Sequence, residues 1–260
     1  MGLLLSLGAG APAKAAHYEP HILLEVQERA QSVTEQGQTP VVIFDLDDTL
    51  INTRERNLRI LRDLAAEPAT LSRFPAAAER LAEIGPRNIR YLLKDTLATL
   101  QLTDEAFVEA ANNYWLAHFF TNAYCAHDRP NPGAARYVRW LVNEGATVVY
   151  LTGRDTPRMG KGTASNLREL GFPIDGPKAI LMMKPSAQGD DLAFKISRFQ
   201  TIAQLGVVVA AFENEPANIN AFQTGYPDAL MIFLDTIHSP KPDTPNSMVH
   251  WVRDFEPDFR

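Results

Sequence analysis

Residues 41–50 read VVIFDLDDTL, and the fold of the chain turns on how this stretch is understood. Val41–Phe44 are apolar and rich in β-branched types; behind Gly37 and Pro40 they predict a buried strand. The run ends in Asp45, with Asp47 and Asp48 directly after it. Three carboxylates packed where a buried strand emerges repel one another unless a cation sits among them. A hard cation with oxygen ligands, such as Mg²⁺, is the natural partner. Asp45 and Asp47 are two apart and point to the same side of an extended chain, so one can attack while the other moves protons. The plainer reading is an acidic turn in which Asp47 or Asp48 caps a helix. Asp-x-Asp-x-Thr behind a purely apolar strand is the rarer pattern, and α/β sheets bind ligands at the carboxyl ends of their strands.

Upstream, Pro20–Gln36 carries Ile22, Leu23, Val26 and Ala30 at helical spacing and predicts an amphipathic helix leading into the strand. His17 and His21 read as surface polar residues. Downstream, from Ile51 to about Pro130, strand signals vanish. Arg54–Ala66, Ala76–Ile84, Ile89–Leu100 and Asp104–Phe120 read as helices, broken at Pro68, Pro75 and Gly85-Pro86. Within this insert, His118, Phe119, Phe120, Tyr124 and His127 form an aromatic group expected to pack its core. After Pro132-Gly133 strands return. Ala134–Asn143 is helical and Thr147–Leu151 is a second buried strand. Thr163–Leu170 is helical, Ala179–Met183 a strand, Asp191–Leu205 helical, Val207–Phe212 a strand, Pro216–Gln223 helical and Ala229–Leu234 a last strand. The proline-bearing stretch Ser239–Asn246 is irregular. This alternation predicts an α/β fold, a Rossmann-like, doubly wound parallel sheet with a helical insertion. The expected organisation is a core of 17–51 and 131–260, an insertion of 52–130, and a leader at 1–16.

Composition narrows the function. With 45% hydrophobic and 22% charged residues among 260, the chain has the make-up of a globular protein. A net charge of −6 speaks against a general nucleic-acid binder and leaves a small phosphorylated ligand open. The single cysteine, Cys125, excludes an internal disulfide and reads as a small buried hydrophobe. No run is long and apolar enough to predict a membrane span. Residues 1–16, MGLLLSLGAGAPAKAA, lack a basic residue ahead of the apolar part; a flexible leader and a cytoplasmic protein are expected, with an export-signal remnant as the alternative.

Thr152-Gly153-Arg154 follows the second strand. A hydroxyl and free backbone N–H groups at a strand end suit a phosphoryl oxygen. Taken together, Asp45-x-Asp47-x-Thr49 after an apolar strand and a threonine ending the second strand resemble the first two motifs of the haloacid dehalogenase superfamily. The resemblance spans about residues 40 to 235, with the insertion where that superfamily carries its helical type-one cap. It implies hydrolysis of a small-molecule phosphate monoester with Mg²⁺ as cofactor, through an aspartyl-phosphate. Asp45 would be the nucleophile and Asp47 the acid and base. Thr152 would hold the phosphoryl group, with Thr49, Gly153 and Arg154 beside it; Arg154 is open between a substrate and a structural contact. The resemblance also calls for a lysine, and Lys195 is favoured over Lys184. A metal site would draw on Asp45 and Asp47 with Asn214 and Glu213, from Glu213-Asn214-Glu215-Pro216-Ala217-Asn218, where the superfamily usually has aspartates. Glu215 and Asn218 stand open as alternatives in that site, and Asn214 reads equally as a helix cap. Asp235 and His238 follow the last strand and read as loop residues. Asp47 speaks against dehalogenation and phosphonate hydrolysis, which do without it. A phosphomutase, or an idle binding protein that keeps the fold, remain the alternatives.

Overall fold

The structure is a computed structural model that describes residues 17–257. The expected leader at 1–16 lies outside the described residues. Helix α1 (Ile22–Glu35) leads into β1 (Pro40–Phe44). A two-residue strand, β2 (Ile51–Asn52), opens the insertion. Its helices are α2 (Arg54–Ala66), α3 (Pro68–Arg73), α4 (Pro75–Ala82), α5 (Leu93–Ala98), α6 (Glu105–Phe119) and α7 (Asn122–Cys125), and β3 (Arg129–Pro130) closes it. The chain then runs α8 (Ala134–Asn143), β4 (Thr147–Asp155), α9 (Thr156–Glu169), β5 (Ala179–Lys184) and α10 (Asp191–Ser197). It ends with α11 (Phe199–Ala203), β6 (Val207–Glu213), α12 (Pro216–Gly225), β7 (Leu230–Leu234) and β8 (His250–Val252).

Six of these strands form one parallel sheet in the order β5-β4-β1-β6-β7-β8. Every residue of β1 is buried, because both faces of the sheet are covered. Alternate side chains divide accordingly. Val42 and Phe44 join Tyr150, Phe212 and the apolar sides of α1 and α8. Val41 and Ile43 join Leu151, Phe233 and residues of α11 and α12. The insertion has its own apolar cluster, built from Leu58, Leu61 and Leu64 of α2, Leu81 of α4 and Phe107 and Ala111 of α6. It leaves and re-enters the core side by side, since Ile51 pairs with Pro130 and Asn52 with Arg129 in antiparallel register. Asn131 fastens this junction, its side-chain amide donating to the Thr49 carbonyl at 2.6 Å.

Four expectations need correction. The helix expected at Ile89–Leu100 begins only at Leu93, because the Thr96 hydroxyl accepts the Arg90 N–H at 2.9 Å and holds the preceding residues out of helix. The helix expected from Thr163 starts at Thr156, where Asp155 caps it and Pro157 suits its first turn. The helix expected over Asp191–Leu205 is two helices that meet at Arg198. A further strand, β8, extends the sheet beyond β7; three residues, two half-buried and one buried, carry too little pattern to be read. Cys125 is buried, as expected. Among the described residues no helix is long and apolar enough to cross a membrane.

Candidate active site

Asp45 stands at the carboxyl end of β1, and Glu213 closes the neighbouring β6. Lys195 reaches in from α10, and its ammonium donates to Asp45 Oδ1 at 2.6 Å and to Glu213 Oε2 at 2.6 Å. All three residues are buried. Two carboxylates thus share one ammonium. Burial, and next the charge of Glu213, raises the Asp45 carboxyl well above its ordinary range despite Lys195. Burial alone would lower the Lys195 pKa, but Asp45 and Glu213 outweigh it and hold the ammonium charged. Glu213 Oε1 accepts the backbone N–H groups of Asn214 (3.0 Å) and Glu215 (3.1 Å), and Asn218 donates to Oε2 at 3.2 Å. Asn214 is therefore not a helix cap. Its Oδ1 accepts the Thr49 hydroxyl at 3.0 Å and its amide donates to the Ile237 carbonyl at 2.6 Å. Glu215 accepts from the backbone N–H and hydroxyl of Ser239.

Asp47 faces a different cluster. Arg154 donates to it twice, from Nε at 2.8 Å and Nη2 at 2.7 Å, and Arg56 donates from Nη2 at 3.0 Å. Both arginines also grip Asp128, Arg56 through Nε at 2.8 Å and Nη2 at 2.5 Å, Arg154 through Nη2 at 2.7 Å. Desolvation would push the Asp47 carboxyl up, but Arg154 and then Arg56 hold it well below the usual carboxylate range. Asp48 turns away with φ 55° and accepts the backbone N–H (3.1 Å) and hydroxyl (2.8 Å) of Thr53, ahead of α2. Burial pushes its carboxyl up to about 6 against those bonds. Sequence reasoning missed Arg56 and Asp128. Arg56 lies on the buried stripe of α2 with Ile60 and Leu64, and an arginine in an apolar stripe was the available signal. Asp128 offered none.

The second strand runs on to Asp155 instead of ending before Thr152, so Thr152 is buried within β4, just ahead of an irregularity in its pairing with β5, and its hydroxyl accepts the Arg154 N–H at 3.2 Å. A Cβ on Gly153 would lie 2.3 Å from the Asp191 carboxylate, so a side chain there would require that exposed carboxylate to move. Lys184 holds that same Asp191 at 2.6 Å and the Gly189 carbonyl at 2.9 Å, so it braces the loop rather than touching Asp45. Asp235 accepts from the Tyr18 hydroxyl, and His238 packs edge-on to Phe233.

Residues 39–179, more than half of the chain, match the sequence model of the haloacid dehalogenase-like hydrolases. The chain belongs to that family. It is accordingly an enzyme of the hydrolase class. The fold is shared with Mycobacterium tuberculosis protein tyrosine kinase A, at 14% identity and a TM-score of 0.54 over 83% of this chain and 94% of that one. Similarity also extends to a haloacid dehalogenase-like family protein of Streptococcus pneumoniae (13% identity, TM-score 0.46, covering 75% of this chain and 84% of that one). A class C acid phosphatase of Bacillus anthracis is similar as well (13% identity, TM-score 0.41, 88% and 77%). No curated protein matches the chain.

In this haloacid dehalogenase-like hydrolase a cleft of about 490 Å³ lies over the two ion clusters. Asp45, Asp47, Thr152, Lys195 and Asn214 line it together with Tyr91, Trp115, Phe119 and Phe120 of the insertion. The aromatic group expected in the insertion's core therefore splits. His118 stacks on Tyr114 (3.9 Å between centroids) and meets Tyr124 edge-on (5.3 Å), away from the cleft. Phe119 and Phe120 stay half-buried, outside the insertion's apolar cluster, and face the cleft. A larger open groove of about 1000 Å³ beside β5 contains none of these carboxylates.

Proposed function

We propose that this hydrolase is a Mg²⁺-dependent phosphatase that cleaves a small-molecule phosphate monoester through an aspartyl-phosphate. The observation that carries the reading is Asp45 at a strand end, hydrogen-bonded to a buried lysine and opening onto a cleft. The donor set suits a hard cation. Asp45 and Glu213 outnumber Lys195 by one charge in a buried setting, and Asn214 adds a neutral oxygen. Asp45, Glu213 and Asn214 would hold Mg²⁺, joined by Asp47 once a guanidinium releases one of its oxygens, both of which accept from Arg154 or Arg56; the ion would screen the nucleophile from the phosphoryl oxygens.

Asp45 attacks phosphorus as the bond to the leaving oxygen breaks, and that oxygen takes a proton from Asp47. Water then attacks the aspartyl-phosphate and gives a proton back to Asp47, releasing phosphate and restoring Asp45. Lys195 and Thr152 hold phosphoryl oxygens throughout. The two guanidiniums favour the ionised Asp47, the form that accepts the proton from water. Donation needs a looser grip. Arg56 belongs to the insertion, so a shift of α2 relative to the sheet removes one guanidinium and prepares the acid. In this reading residues 52–130 act as a lid.

The clamp on Asp47, with Asn214 in place of an aspartate, is also what an idle binding protein of this fold would keep. Phosphate release from p-nitrophenyl phosphate, with Mg²⁺ and with EDTA, separates the two. Mg²⁺-dependent release that disappears in Asp45→Asn supports the phosphatase. No release from the folded native chain, with either p-nitrophenyl phosphate or an alkyl phosphate, overturns it in favour of the binding protein.

A further inference from the structure

We infer that the alcohol of the substrate carries a flat aromatic ring, seated on the cluster of Trp115, Phe119 and Phe120. This rests on the phosphatase reading and names its substrate class. Trp115 and Phe119 stack at 4.4 Å between centroids, and Phe120 stands edge-on to both, at 5.8 Å and 5.0 Å. The three rings share the cleft with Asp45 and Lys195, so a phosphoryl group held at those two residues places its ester substituent among them. They are not needed to fill the insertion's core, which closes on other residues.

The rings are also fixed in advance. The Trp115 indole N–H donates to Asn57 Oδ1 at 2.7 Å, and the Asn57 amide donates to the Thr53 carbonyl at 3.1 Å. A guanidinium backs each phenylalanine, Arg56 at 4.5 Å from the Phe119 centroid and Arg158 at 4.9 Å from that of Phe120. Those arginines are themselves held, one by Asp47 and Asp128, the other by Asp155. Rigid rings with anchored backing bind another ring at small entropic cost, through stacked and edge-on contacts.

The test compares benzyl phosphate with cyclohexylmethyl phosphate, esters of similar bulk whose alcohols leave with similar ease. The native chain should show a KM about fivefold lower for benzyl phosphate, the factor expected of one to two aromatic contacts. In Phe119→Leu and in Trp115→Leu the ratio of the two KM values should fall towards one, and Phe119→Tyr should keep it. Equal KM values in the native chain overturn the aromatic subsite and leave the phosphatase standing. A parallel titration measures tryptophan fluorescence with benzylphosphonate and cyclohexylmethylphosphonate, which are not hydrolysed. Preferential binding of the aromatic phosphonate without release from either ester supports the ring site and overturns the phosphatase. Equal affinities overturn the ring site whatever the turnover, and should Phe119→Leu not fold, this native-chain comparison decides.

Discussion

Asp45 and Asp47 are two residues apart, yet each belongs to a different ion cluster. Around Asp45, two carboxylates share one ammonium. Around Asp47, two carboxylates share two guanidiniums. The first cluster is one positive charge short; burial, and next the charge of Glu213, raises the Asp45 carboxyl. The second is balanced in charge, with Arg56 Nη1 buried and left without a hydrogen-bond partner, and it joins the insertion, through Arg56 and Asp128, to the sheet, through Arg154 and Asp47. One cluster lacks a positive charge; the other is in balance where the two parts of the molecule are fastened.

The largest effect should come from Asp45→Asn. Phosphate release should fall by at least about a thousandfold, as expected when a covalent nucleophile is lost. The thermal midpoint should hold or rise, because the substitution removes a surplus buried carboxylate while Lys195 keeps Glu213. A midpoint several degrees lower would show that the first cluster is not short of positive charge.

Asp128→Ala comes next. It leaves two guanidiniums against one carboxylate in a buried setting and should cost about 3–5 kcal/mol in urea unfolding. Adding Arg56→Met restores a one-to-one pair and should recover part of the loss. A cost under about 1 kcal/mol would mean that the second cluster fastens nothing.

Mg²⁺ gives a third and smaller effect. At a hundredfold excess over its dissociation constant it should stabilise the native chain by about 2.7 kcal/mol, read as a rise in the thermal midpoint. The rise should vanish in Asp45→Asn. An equal rise in both would place the cation away from the deficient cluster.

The smallest expected effect tests a single ion pair outside both clusters. Asp155 caps α9 and accepts the Arg158 backbone N–H at 3.0 Å and Nε at 2.7 Å. Burial pushes its carboxyl up, but the Arg158 side chain and backbone bonds prevail and keep it below the ordinary value. A depressed folded pKa stabilises above the unfolded value and is lost as pH falls through the folded one. Asp155→Ala should therefore cost about 1 kcal/mol at neutral pH, and the difference from the native chain should shrink below about pH 4. A difference that grows on acidification would contradict that sign.

The frame of the molecule was legible because strands buried on both faces are continuous apolar runs. VVIF, TVVYL, VVVAAF and ALMIFL announce β1, β4, β6 and β7 without help from distant residues. The positions of Asp45, Thr152 and Glu213 were legible for the same reason, since each follows or closes such a run. The balanced cluster was not. Arg56 and Asp128 are seventy-two residues apart, and their bond exists only because the insertion's two ends are brought together. Direction was hidden as well. The sequence shows aromatic rings grouped between Tyr114 and Tyr124, but only the end of α6, where the helix gives out at Phe119, decides that Phe119 and Phe120 face the cleft while His118 turns to Tyr114. The choice between Lys195 and Lys184 needed tertiary structure too, because each follows an apolar stretch and only one reaches Asp45.

The pairing of Ile51 with Pro130 and Asn52 with Arg129 has a consequence for how such a chain diversifies. The way out of the sheet and the way back lie side by side, so everything between them can be exchanged without moving any strand of the sheet out of register. The exchanged piece, however, carries Arg56 and Asp128 with its aromatic wall. A new insertion thus arrives with its own setting of the electrostatics at Asp47, and the cleft's aromatic lining and the charges around that carboxylate are exchanged together.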